Sequence, residues 1–208
     1  MVAGGALVAA VLLGAAGSLV LAGTGGTGAQ APNHVDIGFA QDMTVHHQQA
    51  VTTANWVRDH STDRPLRELT FDIEHGQTEQ IGRVQAWLRL WSQAALPTTG
   101  HMTWMKPQTP HAPSDPAHPS RSMPGMATTE ELNRMRSLSG RDLDIYFLQL
   151  MIRHHQGGEP MMRAAQDRAA IGEVRNLAGQ MLTAQTAEVE AMTAMLTERG
   201  AEPLPPPH

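Results

Sequence analysis

Residues 39–50 read FAQDMTVHHQQA and residues 147–158 read FLQLMIRHHQGG. One offset of 108 positions superimposes them. It also aligns Asp36 with Asp144, Met43 with Met151, His46 with His154, and Gln77-Thr78 with Gln185-Thr186. A single offset shared by segments this far apart leaves little freedom: whatever the first half folds into, the second half repeats with the same element lengths.

The repeated unit is helical in character. Ala, Leu, Gln, Arg and Glu dominate it, and β-branched runs are rare. Four long helices are expected, over about 35–59, 63–97, 139–169 and 172–199. Asp63 caps the second, with Pro65 in its first turn and Pro97 as its stop. Ser139 with Asp142 three residues on gives the third a box-like start, and Gly200 with prolines beyond ends the fourth. Thr128 with Glu131 forms a capping box for a short helix over 128–138. The domain therefore divides into a hairpin over 35–96, a Pro/His/Met-rich irregular connection over 97–127, a hairpin over 128–199 and a disordered tail over 200–208. Two hairpins joined in this way make an all-α four-helix bundle with pseudo-two-fold symmetry, with the Phe39/Phe147 and Ile73/Met181 positions in its core.

Residues 1–34 are set apart from that fold. Positions 1–22 are apolar over a length that can cross a membrane, and a Gly/Thr spacer follows. The stretch reads as an export signal, with Thr27-Gly28-Ala29 as a small-x-small cleavage site, or as an uncleaved anchor. The rest of the chain is expected outside the cytoplasm (secreted, periplasmic or tethered), with membrane contact only through this segment. A formal net charge of −5 and no basic patch argue against nucleic acid as a partner.

The chain has no cysteine, thirteen methionines and eleven histidines. Any metal must therefore use His, Met, Asp or Glu. On a helix, Met43 lies beside both His46 and His47, and Met151 beside both His154 and His155. Adjacent histidines point about 100° apart, so one of each pair faces inward and the other faces the edge or a neighbouring helix. Met151, His155, Gly158 and Met162 continue as a stripe, and Met161 lies further along from His154. Thioether beside imidazole is a soft-to-borderline ligand set. It suits copper, Cu(I) before Cu(II), with zinc behind both. The connection adds looser candidates: His101, Met102, Met105, Met123 and Met126, with His111 and His118. The opposing reading is structural, because methionine fills helical cores and buried histidines form hydrogen-bonded networks.

Asp-x-x-Phe-x-x-x-Met-x-x-His-His, twice, each followed by a glutamine-bearing helix, resembles the bacterial family known as domain of unknown function 305. DIYFLQLMIRHHQGGEPMM, QMLTAQTAEVEAM and MPGMAT carry the likeness, which spans about 35–199. The resemblance implies a ferritin-like four-helix bundle, export, and in some members copper binding and copper resistance. It implies Met43, His46, His47, Met151, His154, His155, Met161 and Met162 as ligands. Glu159-Pro160 departs from the family pattern. A proline inside the helix removes a backbone hydrogen bond and is expected to kink it, displacing Met161 and Met162. The first half has no counterpart of these two methionines, so the second unit is expected to be the more complete site.

Three functions follow from these residues. The first is an exported copper-binding protein that sequesters, buffers or hands on the ion without turnover, its partners being the metal and another copper-handling protein. The second is a structural or interaction bundle with buried histidines. The third is a ferritin-like metal-dependent oxidoreductase. A dinuclear iron site needs Glu-x-x-His repeated across the halves, and the sequence has no such repeat.

Overall fold

Asn33 starts the first helix: its side chain accepts the Val35 and Asp36 amides, and Asp36 reaches back to the Asn33 amide at 2.7 Å. In the computed structural model, which describes residues 30–98, 100–105 and 123–206, this opens a unit that begins at Pro32. Every regular element among the described residues is helical: α1 (His34–His60), α2 (Arg64–Leu90), a 3-10 turn (Thr103–Met105), α3 (Thr129–Ser137), α4 (Gly140–Arg168) and α5 (Gly172–Glu198). The apolar segment assigned to export or anchoring, and His111 and His118, lie outside the described residues. No described helix is long and apolar enough to cross a membrane.

The hairpins α1–α2 and α4–α5 meet through their first helices, α1 against α4. The core is split into two apolar clusters. In α1, Val35, Phe39 and Met43 belong to one cluster and Ala50, Ala54 and Val57 to the other. In α4 the order is reversed, with Leu143 to Ile152 in the second cluster and Met161, Met162 and Ala165 in the first. α2 runs from the second cluster to the first, and α5 from the first to the second. Chain neighbours are therefore antiparallel, as is α4 against α1. Phe39, Phe147 and Met181 are fully buried and Ile73 is 1 % exposed, as the repeat predicts. Truncating either phenylalanine to alanine would cost about 3–5 kcal/mol.

Aligned aspartates tie the hairpins together. Buried Asp36 accepts the Ala170 and Ile171 amides in the turn of the second hairpin, at 2.9 and 3.0 Å. Its counterpart Asp144 accepts the Ser61 hydroxyl in the turn of the first, at 2.6 Å. Charge-assisted hydrogen bonds of this kind hold each first helix to the other hairpin's turn.

Two expectations change. α2 stops at Leu90, not near Pro97. Ser92 takes the left-handed conformation (φ 54°), Gln93 N–H donates to the Leu88 carbonyl and Ser92 N–H to that of Arg89, which is a Schellman closure. Ser139 makes no side-chain cap to α4. α4 runs through Pro160, and Met161 and Met162 beyond it are buried. Beyond α5, Ala201 and Leu204 lie against the second cluster and Gln149 donates to the Glu202 carbonyl, while Glu202, Pro203, Pro205 and Pro206 are exposed. The Asp63 cap, Pro65 in the first turn of α2 and the Thr128–Glu131 box are present.

Candidate metal centre

Between the two apolar clusters each long helix carries polar side chains at its middle: His46 and His47 on α1, Gln77 and Gln80 on α2, His154 and His155 on α4, Gln185 and Glu188 on α5. All four histidines are buried. His46 and His154 face each other across the α1–α4 contact, with ring centroids 3.8 Å apart. Within each unit the adjacent rings are further apart, at 6.4 Å and 6.1 Å. The histidines of the two Met-x-x-His-His units thus meet in one layer.

The inner rings meet unlike backbone carbonyls, and only the outer rings have equivalent partners. His46 Nε2 lies 3.4 Å from the Pro124 carbonyl and His154 Nε2 lies 3.1 Å from the His46 carbonyl. The outer rings turn to the second helix of their own hairpin, His47 Nε2 to Gln80 Oε1 at 2.7 Å and His155 Nε2 to Glu188 Oε2 at 2.5 Å. Carbonyls and carboxylates only accept, so Nε2–H is the donor and Nδ1 of a neutral ring keeps its lone pair. All four Nδ1 atoms are buried without a hydrogen-bond partner, as are both amide atoms of Gln77 and Gln185.

Burial keeps the central rings neutral. It is the main cause that lowers His46 to about 3, with His47 adding to it and the Pro124 carbonyl opposing. Burial likewise lowers His47 to about 4 against the opposing Gln80 bond, and lowers His154 well below its usual value, with the neighbouring histidines adding. Neutral imidazole with a free lone pair and its other nitrogen donating to a carbonyl or carboxylate is the state in which histidine ligates metals. On donor chemistry and on the orphaned Nδ1 atoms, the layer fits a soft or borderline cation. Among the described residues no three His, Asp or Glu side chains already converge on one point.

A family model described as "Domain of unknown function (DUF305)" matches residues 36–196. The chain belongs to this family. Among solved structures, a DUF305 protein of Streptomyces coelicolor described as a candidate secreted protein is 37 % identical, with a TM-score of 0.73 over 82 % of this chain and 97 % of that one. A DUF305 fragment of Deinococcus radiodurans is 32 % identical, with a TM-score of 0.65 over 81 % of this chain and 99 % of that one. CopM in the Cu(II)-bound form is 22 % identical, with a TM-score of 0.60 over 78 % of this chain and 96 % of that one; at that identity the likeness shows the fold alone. CopM has also been solved in Cu(I)-bound, silver-bound and apo forms. No curated protein matches.

In this DUF305 chain the predicted methionines divide between the two sides of the histidine layer. Met43, Met161 and Met162 lie in the first cluster and Met151 in the second. A Cβ on Gly158 would stand 3.2 Å from His46 Cε1, 3.5 Å from Gln185 Oε1 and 3.6 Å from the Met162 methyl, so these groups converge where a glycine leaves room. The candidates from the connection that fall within the described residues are packed. Met123 is buried in the first cluster, with Met102, Met105 and Met126 packed against it. His101 Nδ1 lies 2.7 Å from Asp42, which also accepts the Met102 amide and the Trp104 indole N–H. The Met123–Met126 segment closes over the layer: Gly157 is needed on α4, because a Cβ there would come 2.1 Å from the Pro124 carbonyl.

Sequence reasoning passed over Gln80, Glu188 and Asp42. The offset relates Gln80 to Glu188, but their differing types hide the match. Gln77 and Gln185 served to fix the offset, and their repetition in a helical core was itself the signal of a polar layer.

Proposed function

We propose that this chain is an exported copper-binding protein that sequesters, buffers or hands on copper, without catalysing turnover. The observation that carries this reading is the set of four buried Nδ1 atoms without partners, on rings whose other nitrogen is engaged. A buried unpartnered nitrogen costs about 1–3 kcal/mol, and a bound cation removes that cost. His46 and His154 are the central ligands, with Met43 one helical turn from His46 and the Met162 methyl converging with His46 Cε1 beside Gly158. Met151, Met161, His47 and His155 complete the candidate set. Thioethers complete a site that carboxylates and imidazoles alone do not preform, which favours Cu(I) over Cu(II) and both over zinc. The copper-bound and silver-bound forms of CopM, a protein of the same fold, support this choice of metal.

Location outside the cytoplasm rests on the apolar N-terminal sequence, the lack of cysteine and the description of the Streptomyces relative. The arrangement of the four long helices is read as ferritin-like.

The test compares the shared pair with the outer pair. His46→Ala with His154→Ala is expected to weaken Cu(I) binding by about a hundredfold or more, measured against a chromogenic competitor, with helical content retained. His47→Ala with His155→Ala is expected to weaken it less. Parent-like binding by both double variants would overturn the proposal. One observation favours a second reading, a buried polar network: every Nε2 already has a partner. Loss of folding in the metal-free double variants would support that reading instead.

A further inference from the structure

The two outer histidines occupy equivalent places and meet unlike partners. His155 faces a carboxylate, Glu188 Oε2 at 2.5 Å, and His47 faces an amide, Gln80 Oε1 at 2.7 Å. A carboxylate can only accept, so a neutral His155 must carry its proton on Nε2 and present a bare Nδ1. An amide can turn over and offer its NH2 instead, so Gln80 is satisfied by either tautomer of His47. The His46 and His154 partners are backbone carbonyls and impose the Nε2–H form as Glu188 does. Among the four rings, only His47 is left uncommitted.

The carboxylate also adds charge. The glutamines of the layer, Gln77, Gln80 and Gln185, are neutral amides. Glu188 is part-buried, its side chain 24 % exposed, while the His155 side chain is fully buried. A cation held by Nδ1 of His155 gains through the ring from a carboxylate on the far side, and a doubly charged ion gains more than a singly charged one.

We propose that Glu188 is the positioning residue that makes His155 a fixed Nδ1 ligand, and that the Glu188/Gln80 difference tunes charge selectivity, raising affinity for a divalent ion more than for a monovalent one at the second hairpin's outer ring. This rests on the copper-binding reading above. The full chain is compared with the isosteric variants Glu188→Gln and Gln80→Glu, whose helical content is checked first by circular dichroism. Nitrogen-15 NMR of the metal-free proteins reads the tautomers. His155 is expected as pure Nε2–H in the parent and mixed in Glu188→Gln, and His47 is expected to become pure Nε2–H in Gln80→Glu. Titration with Cu(II) and with Ag(I) then reads selectivity. Glu188→Gln should weaken Cu(II) by about tenfold to a hundredfold and Ag(I) by clearly less, and Gln80→Glu should strengthen Cu(II). A parent His155 protonated on Nδ1, or a tautomer and Cu(II) affinity unmoved by Glu188→Gln, overturns the inference while copper binding stands. Failure of the parent to bind either ion overturns the proposed function, with the tautomer result still readable by itself.

Discussion

The hairpins α1–α2 and α4–α5 share a backbone plan and differ in what they attach to it. The first carries Asp42 where the second carries Leu150. Asp42 uses its carboxylate to hold His101, the Met102 amide and Trp104 against α1, so the connection folds back over the first hairpin. The second has Gly157 and Gly158 where the first has Gln49 and Ala50, and there the Met123–Met126 segment and His46 come close to α4. It also has Met161, Met162 and Glu188 opposite Thr53, Ala54 and Gln80. Duplication kept the histidine layer and the hairpin geometry. Divergence placed the extra thioethers and the carboxylate on one side, and the clamp for the covering loop on the other.

Acid should break both halves at once, because the layer belongs to both. Burial lowers His46 to about 3 and His47 to about 4, against about 6.5 for a free ring. The unfolded chain therefore takes up protons first as the pH falls. The stability these rings contribute is full above about pH 6.5 and is lost as pH drops toward 4 and then 3, by about tenfold in the folding constant per pH unit for each ring. Denaturant melts of the metal-free protein between pH 7 and 4 are expected to show a steep fall with a single transition. A flat profile would mean the rings are not held neutral.

A smaller effect separates the halves. Asp42→Leu installs the second hairpin's residue in the first and leaves three donors without their acceptor. It is expected to cost about 2–4 kcal/mol and to red-shift Trp104 fluorescence as the loop leaves α1. The reciprocal Leu150→Asp should bury an unpaired carboxylate without gaining a clamp.

The smallest effect restores symmetry. α2 and α5 end in the same closure, Gln93 to Leu88 and Ala201 to Leu196, but the left-handed position is Ser92 in one and Gly200 in the other. Ser92→Gly is expected to stabilise the protein by about 1 kcal/mol by removing a side chain from that conformation. Thermal unfolding with Gly200→Ser as the opposite control checks the sign.

The same pair shows how far the sequence could be read. Gly200 announced the end of α5, and the offset that had already aligned His46 with His154 carries Gly200 onto Ser92. Carried through, the offset ends α2 at Leu90, ahead of Pro97. The hairpins, the caps at Asp63 and Thr128 and the buried phenylalanines were legible because they depend on local spacing and helical period. The shared histidine layer was half legible: the units were plain, but spacing within a helix cannot say that His46 meets His154 across two of them. The Asp42 clamp was not legible. Its partners lie about sixty residues away in a segment without periodicity, and only the folded chain brings them together.

The most direct test of the shared layer is X-ray absorption at the copper edge on the Cu(I)-loaded protein. Imidazole nitrogen and thioether sulfur are expected together in the first shell, with the imidazole contribution lost in the His46→Ala, His154→Ala double variant. A shell without sulfur, or one that the double variant leaves unchanged, would contradict a copper site built where the two hairpins meet.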